Sequence, residues 1–464
     1  MNKLQTGQLA LTVLLLAGCA VGPKYHAPSP APVAALSIDP HQYAAAAPEA
    51  AWWGAFHDPV LAELEHRALA GNLDLRVALD RVREARALFA DAELDRYPHV
   101  TNVANYTRSD EQYPGFGNAP LNVQSAELGF DATWEIDLFG YVQHETEAAR
   151  AEAEAAEADR RDTEVTVAAE VARRYFELRG AQDRLTIARA NAQSEEQTAQ
   201  LTALRYQVGR GDPVDVQSSQ ARESATEATI PELITDETVA GDRLAVLTGA
   251  RPGTIDALLA PPAVPPAPLV TPLPIGDASG FLRRRPDVQA AERRLAEQTA
   301  RVGVATAALF PRVNVTGFIG LLTGNVSGLF ANASKAWAVS PTVTWPGLDL
   351  GSAEAKLRAQ KAQADESLAD YNQTVLGAIE DLQNSLVTYS QTQTEITSLA
   401  RQVDASTRAA DLARIRYKEG AIDFLVLLDA ERTQLQAEDA LAVAQTDANT
   451  GVVGVYKALG GGWS

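Results

Sequence analysis

The chain has 464 residues, with a single cysteine and a single methionine. That excludes a disulfide framework and a thiolate zinc site. Basic residues are scarce beside acidic ones, 40 against 60, for a net charge of −20. A nucleic-acid binder needs a basic footprint, so that class is excluded too. Aromatics make up only 6 %. The six histidines (26, 41, 57, 66, 99, 144) have no metal-ligand spacing, and no nucleophile elbow accompanies them. No catalytic residue and no metal are expected. Gly460-Gly461-Gly462 lacks the strand–loop–helix setting of a phosphate loop. Beyond the N-terminal leader there is no run of about 18 apolar residues, so no transmembrane helix is expected. Proline is missing between Pro120 and Pro213 and again after Pro346. Proline breaks helices, so its absence permits two very long ones, about Tyr141–Val208 and Ser352–Glu419. At 1.5 Å per residue each would reach roughly 100 Å, the scale of a strut or a tube wall.

What is present begins with the leader. Lys3 precedes an apolar core, Leu9–Leu16, too short to span a membrane as a mature helix. Leu16-Ala17-Gly18-Cys19 resembles a bacterial lipobox, in which the cysteine is lipidated and becomes the mature N-terminus. An ordinary secretory signal cleaved nearby is the competing reading. Ala20 follows, where an aspartate would mark inner-membrane retention, so the outer membrane is the expected address. A covalent lipid on Cys19 is the one attached group expected, with no other cofactor.

Leu368, Val375, Leu382, Tyr389, Ile396, Val403, Ala410 and Tyr417 recur every seven residues, with Ile379, Leu386 and Ala400 four positions on. Such heptads predict coiled-coil packing. The first long stretch has a weaker seam: Val171, Leu178, Leu185, Ala192 and Ala199, with Ala181 and Ala188. Four segments alternate with period two instead, at about 97–109, 123–135, 311–322 and 335–346. Each is near the length of a tilted membrane-spanning strand. Four strands cannot close a barrel, and an open edge in lipid is very costly, so closure requires other chains; a trimer gives twelve strands.

The order helix, strand pair, long helix, turn, helix occurs twice. Arg205, Tyr206, Gly209 and Asp212 recur as Arg416, Tyr417, Gly420 and Asp423; Tyr97-Pro98 recurs as Phe310-Pro311; Trp134 and Gly140 recur as Trp345 and Gly351. The chain divides into a signal peptide (1–18), an N-terminal tether (19–55), a first repeat (56–250), a Pro-rich linker (251–280), a second repeat (281–459) and a tail (460–464). The fold class is mainly α with a membrane β-barrel portion, four strands per chain, and an internal two-fold repeat.

Several motifs in order then resemble one family. They are Cys19-Ala20-Val21-Gly22-Pro23-Lys24-Tyr25, Trp52-Trp53 with Phe56 and Asp58-Pro59, Asn72 with Asp74-Leu75-Arg76, Trp134 to Gly140 (WEIDLFG), Arg284-Arg285-Pro286-Asp287, Leu309-Phe310-Pro311, and Tyr456 to Trp463 (YKALGGGW). Together they resemble the outer-membrane efflux lipoproteins of tripartite resistance–nodulation–division pumps, in the wider TolC-like superfamily. Tyr141 departs from the pattern, since relatives often carry arginine there. The resemblance implies a homotrimer, a twelve-stranded barrel and a helical periplasmic tunnel. It implies two further partners, a periplasmic adaptor (membrane-fusion) protein and an inner-membrane transporter that supplies the energy. A duct for protein secretion and a lipid-anchored coiled-coil adaptor are the competing readings; the four amphipathic strands argue against an adaptor.

Two turns carry the candidate sites. Gly209 and Gly420 read as helix C-caps, and Asp212 and Asp423 as N-caps. The resemblance adds that these turns form the tip where the adaptor docks. In Phe424-Leu425-Val426-Leu427-Leu428-Asp429 an acid ends a greasy run. Leu425 and Asp429 share a helix face at i and i+4, and Arg432 follows one turn on. One reading is an ion pair within the helix. The other uses a threefold axis: the resemblance places Leu425 and Asp429 at the periplasmic gate, with Arg432 and Tyr417 as tethers. The matching positions of the first repeat are Val214 and Ser218, so the acid is not duplicated.

Overall fold

The computed structural model describes residues 20–28, 43–44, 46, 49–111, 121–260, 272–275 and 280–461. Cys19, the leader, half of the Pro-rich linker and residues 462–464 lie outside the described residues. Eight main helices carry the chain: α1 (Pro59–Gly71), α2 (Leu73–Leu94), α3 (Tyr141–Gln207), α4 (Pro213–Glu227), α5 (Ile230–Leu247), α6 (Pro286–Ala307), α7 (Leu350–Lys418) and α8 (Phe424–Ala458). The two Pro-free stretches become α3 and α7, of 67 and 69 residues. The described residues fall into two compact units, one drawn from 1–29, 80–157 and 290–373, the other from 30–79, 158–289 and 374–464.

In the first unit the alternating segments form β1 (His99–Glu111), β2 (Leu121–Ile136), β3 (Arg312–Thr323) and β4 (Lys335–Thr344). They make one antiparallel sheet in chain order, so β2 pairs with β3 and joins the two hairpins. The register separates two faces. One carries cross-strand rows such as Trp337–Ile319–Phe130, Val339–Gly317–Ala132–Val100 and Val343–Val313–Ile136. The opposite face carries Ser340–Thr316–Thr133–His99 and Thr342–Asn314–Glu135. Side chains alternate across a strand, so a register slip of one residue would exchange these faces. The apolar face is bare: Trp337 is 77 % exposed, and Ile319 and Val343 are also exposed. The polar face also carries Phe318, Leu322 and Val103. Gly129 and Gly320 face each other there, and a Cβ on either would meet backbone of the other strand within 2.6 Å and the Phe318 ring at 2.9 Å. The ring covers what the glycines leave open.

Two indoles mark the helix–strand junctions of this unit. Trp134 donates to the Arg96 carbonyl at 3.1 Å, and Trp345 donates to the Leu309 carbonyl at 3.0 Å. The Phe139 and Phe310 rings stack, 4.9 Å apart.

The second unit is held by a small aromatic and polar core. Trp52 is buried and stacks on Tyr456, 5.1 Å between centroids. Asp58 caps α1, accepting from Val60 N at 2.8 Å and from the Tyr175 hydroxyl. Asn72 caps α2 and reaches the Leu247 carbonyl at 2.9 Å. Buried Arg285 donates to Asp287, to Asp381 and to the Ala458 carbonyl, tying three segments together. Burial, with Asp287 nearby, pushes Asp162 beside this cluster up to about 6. Glu65 is fully buried, neither carboxyl oxygen has a partner among the described residues, and burial holds it well above the usual carboxyl range.

The heptad seam of α7 is mostly honoured. Val375, Leu382, Leu386, Tyr389, Ala410 and Tyr417 are buried, while Leu368 and Ala400 are exposed. The weaker seam of α3 is the more completely covered: Val171, Leu178, Ala181, Leu185, Ala188 and Ala199 are all buried. Alanine carries little periodic hydrophobicity but lets helices approach closely, which explains why the sequence understated it.

Candidate functional site: the two helix tips

Both tips belong to the second unit. Gly209 (φ 72°) and Gly420 (φ 77°) adopt the left-handed conformation that ends a helix at low cost. The closing bonds are the same at each. Gly209 N donates to the Tyr206 carbonyl and Arg210 N to the Arg205 carbonyl, at 3.0 and 2.8 Å. Gly420 N donates to the Tyr417 carbonyl and Ala421 N to the Arg416 carbonyl, at 2.9 and 2.8 Å. The N-caps differ. Asp212 accepts from Val214 N at 2.8 Å. Asp423 has the extended cap backbone, but its side chain makes no capping bond, which corrects the expected cap.

The greasy run of α8 splits by helical phase. Phe424 and Leu427 are buried with Ala413 and Tyr417, and Leu428 is partly buried against them. Leu425 and Val426 face outward, Leu425 being 70 % exposed. Asp429 is exposed on the same face as Leu425 and accepts from Arg432 Nη2 at 2.8 Å. Arg432 thus ties to its own helix. Tyr417 is not brought to Arg432; it lies in the tip core, 5.7 Å from the Phe424 ring. Arg205 of α3 stacks over Tyr417, 4.3 Å from the ring centroid, and donates to the Tyr417 carbonyl. The end of α3 therefore contributes to the end of α7.

Sequence reasoning missed two buried bridges just above the tips. Arg222 of α4 donates to Glu195 of α3 at 2.7 Å. Arg414 of α7 donates to Glu431 of α8 at 2.8 Å, and Glu431 also accepts from the Thr198 hydroxyl of α3 at 3.1 Å. Both carboxylates are buried. Burial raises Glu195 above the ordinary carboxyl range, while the Arg222 guanidinium opposes that shift. A signal did exist: Phe424, Leu427, Glu431 and Gln434 follow the three–four spacing of a buried seam, so Glu431 occupied a core position from the start.

The tips expose apolar side chains, Leu204, Val208, Val214, Leu425 and Val426, among charged ones such as Arg210, Asp212, Lys418 and Asp423. Among the described residues there is no group of three or more His, Cys, Asp or Glu arranged for a metal ion. The surface suits contact with other helices rather than chemistry.

A profile described as "Outer membrane efflux protein" matches residues 64–250 and 279–461, so the chain belongs to that family of outer-membrane efflux channels. Among individual proteins it is similar to the antibiotic efflux pump outer membrane protein ArpC of Pseudomonas putida, 34 % identical over 98 % of this chain and 95 % of that one. It is also similar to the probable outer membrane lipoprotein SilC of Salmonella typhimurium, 27 % identical over 97 % of each chain. The solved outer-membrane channel OprN shares 45 % identity with a TM-score of 0.91, covering 96 % of this chain and 100 % of that one.

Proposed function

We propose that the chain forms a homotrimeric, passive exit duct through the outer membrane for antibiotics or other small toxic compounds. The sheet carries this reading. It has one bare apolar face, one polar face and two edge strands, β1 and β4, that find no partner within the chain among the described residues. In lipid an unpaired edge is not tolerated, and three copies supply twelve strands to close it. The apolar rows then meet lipid and the polar rows line the lumen. Trp134 and Trp345 in like bonds, and the two identically closed tips, support an internal repeat. Three copies of such a doubled unit approximate six-fold geometry at the tips.

Lipidation of Cys19 anchors the N-terminus, and a periplasmic adaptor docks on the tip surface around Gly209, Asp212, Gly420 and Asp423. An inner-membrane proton-driven transporter supplies the energy. Leu425 and Asp429 constrict the resting duct: exposed in one chain, they form an apolar and an anionic ring when three copies surround an axis. The Asp429–Arg432 pair is exposed at both ends, contributes little stability, and is free to exchange partners during opening.

Two measurements test this. Heat-modifiable migration as a trimer from outer-membrane fractions is expected; a soluble monomer after removal of the lipid anchor counts against the duct. In planar bilayers, Leu425→Ala with Asp429→Ala is expected to raise resting conductance several-fold and weaken cation preference. Unchanged conductance and selectivity would place the gate elsewhere.

A further inference from the structure

At the foot of the sheet, where α3 begins, side chains divide by helical phase. The Arg312 guanidinium lies 3.9 Å from the Tyr141 ring centroid and donates to Glu135 of the polar face at 2.8 Å. Tyr141 therefore turns to the polar side. At about 100° per residue, Gln143, Glu147 and Arg150 stand about 180–240° round the helix from it, on the side of the apolar face. That side bears a cleft of about 490 Å³ within the first unit, lined by Arg96, Asp137, Gln143, Thr146, Glu147 and Arg150. Its walls carry both signs of charge. Asp137 accepts from Gln143 N at 2.8 Å, and Glu147 from Gln143 Nε2 at 2.9 Å, which fixes both carboxylates. Arg150 lies 5.3 Å from the Phe89 ring centroid and 4.0 Å from Glu93. The Arg96 guanidinium is exposed and has no hydrogen bond or ion pair among the described residues.

Two observations set the height of this cleft. Trp134 and Val100 belong to the bare apolar face, and the Trp134 indole is tied to the Arg96 carbonyl at 3.1 Å. An indole with one polar bond and an otherwise exposed ring marks the boundary between lipid tails and water. Leu94 and Tyr97, on either side of Arg96 in the chain, are exposed as well. The second observation is the path of residues 20–22, which are seated at the same junction of β2 and α3. Val21 N donates to the Phe139 carbonyl at 3.0 Å, and buried His144 brings its Nε2 to 3.0 Å from the Val21 carbonyl. A Cβ on Gly140 would stand 2.7 Å from the Ala20 Cβ, and one on Gly22 would stand 2.9 Å from the Gly303 Cα. Ala20 directly follows Cys19, so a lipid on that cysteine leaves the chain at the height of the cleft.

We propose that this cleft holds the head group of a phospholipid that carries both a phosphate and a primary ammonium. Arg96 and Arg150 take the phosphate, since the guanidinium fork matches its oxygens. Asp137 and Glu147 take the ammonium, whose N–H donors suit the lone pairs that Gln143 leaves free. The acyl chains run along Trp134 and Val100. A purely anionic head group satisfies the arginines but sets its charge against two carboxylates. A quaternary ammonium has no N–H to give them. A soluble phosphate leaves the apolar flank unused, so the lipid is the better fit. The inference rests on the duct reading, because it needs the apolar face to lie in lipid.

The test uses the full-length protein extracted in detergent and stripped of loosely held lipid. It is offered equal amounts of phosphatidylethanolamine, phosphatidylglycerol and phosphatidylcholine with matched chains, and retained lipid is read by native mass spectrometry. Phosphatidylethanolamine is expected to be retained several-fold over either of the others. Arg96→Gln, which removes a guanidinium that bonds to nothing else in the described chain, is expected to cut that retention several-fold. Glu147→Gln is expected to bring phosphatidylethanolamine down towards phosphatidylcholine and to leave phosphatidylglycerol no weaker. Equal retention of the three lipids by the wild type, which needs no variant, would overturn the proposal. So would unchanged retention in Arg96→Gln. Displacement of the lipid by chain-free phosphoethanolamine at the same concentration would also overturn it, by assigning the cleft to a soluble ligand. Heat-modifiable migration of the same sample reads the duct separately. A trimer without head-group preference removes this inference alone, and a monomer removes both.

Discussion

The turn after α3 and the turn after α7 close their helices with the same left-handed glycine and the same pair of backbone bonds, yet they are built differently beneath. Under the second turn lies an apolar cluster of Ala413, Tyr417, Phe424 and Leu427. The first turn lends that cluster Arg205, laid across Tyr417, and leaves Val208 and Val214 exposed. The second also carries Asp429 where the first has Ser218. The same backbone device thus serves two ends. One lends a guanidinium; the other has its own apolar core and its own acid. Above both, each hairpin is bridged by a buried Arg–Glu pair, but the order is reversed. The acid comes first in the α3–α4 hairpin and second in the α7–α8 hairpin.

The largest test of this comparison removes the arginines. Arg222→Met leaves Glu195 buried without its ion-pair partner, and Arg414→Met leaves Glu431 with the Thr198 hydroxyl alone. Breaking a buried pair in this way costs about 3–5 kcal/mol. Thermal unfolding is expected to fall most for Arg222→Met, because Glu431 retains one hydrogen bond. The reverse order would mean that the second hairpin depends more on its bridge than the first. A middle-sized effect comes from the caps. Gly209→Ala and Gly420→Ala each force a Cβ into the left-handed region, at about 1–2 kcal/mol. Neither site has a close steric neighbour, the nearest being Arg205 Nη2 at 3.8 Å from Gly420, so denaturant midpoints should drop equally. Unequal losses would show that one turn relaxes and the other does not. The smallest test concerns the aspartates. Asp212→Ala is expected to cost about 1 kcal/mol, the usual value of a working N-cap. Asp423→Ala is expected to cost no more than a few tenths, because its side chain caps nothing. A matching loss at Asp423 would mean that its carboxylate does cap α8 in solution.

Much of this was legible in the residues. The proline gaps predicted α3 and α7 nearly to their ends, and alternation predicted the four strands, because helix and strand periods are local properties. Gly209 and Gly420 were legible for the same reason: a left-handed residue after a periodic run has few other uses. The pairing of β2 with β3 was not, since it joins residues nearly two hundred positions apart. Nor was the destination of Tyr417, whose heptad position announced burial but not the Arg205 guanidinium above it. The split of the stretch after Pro213 into α4 and α5 also went unread, as did the histidine that receives Val21.

By itself, then, the sequence determined the kind and length of each element, the turns that end them, and which face of each strand is greasy. Backbone propensity and side-chain period settle those within a dozen residues. Tertiary structure decided which ionisable groups are buried. Glu195, Glu431 and His144 look like their solvated neighbours along the chain, and only the approach of a distant arginine, hydroxyl or carbonyl makes burying them affordable. The same holds for the glycines at 22, 140 and 303. Gly303 carries no mark in the sequence, and Gly22 and Gly140 stand there only as motif positions; all three are steric necessities once the segments meet.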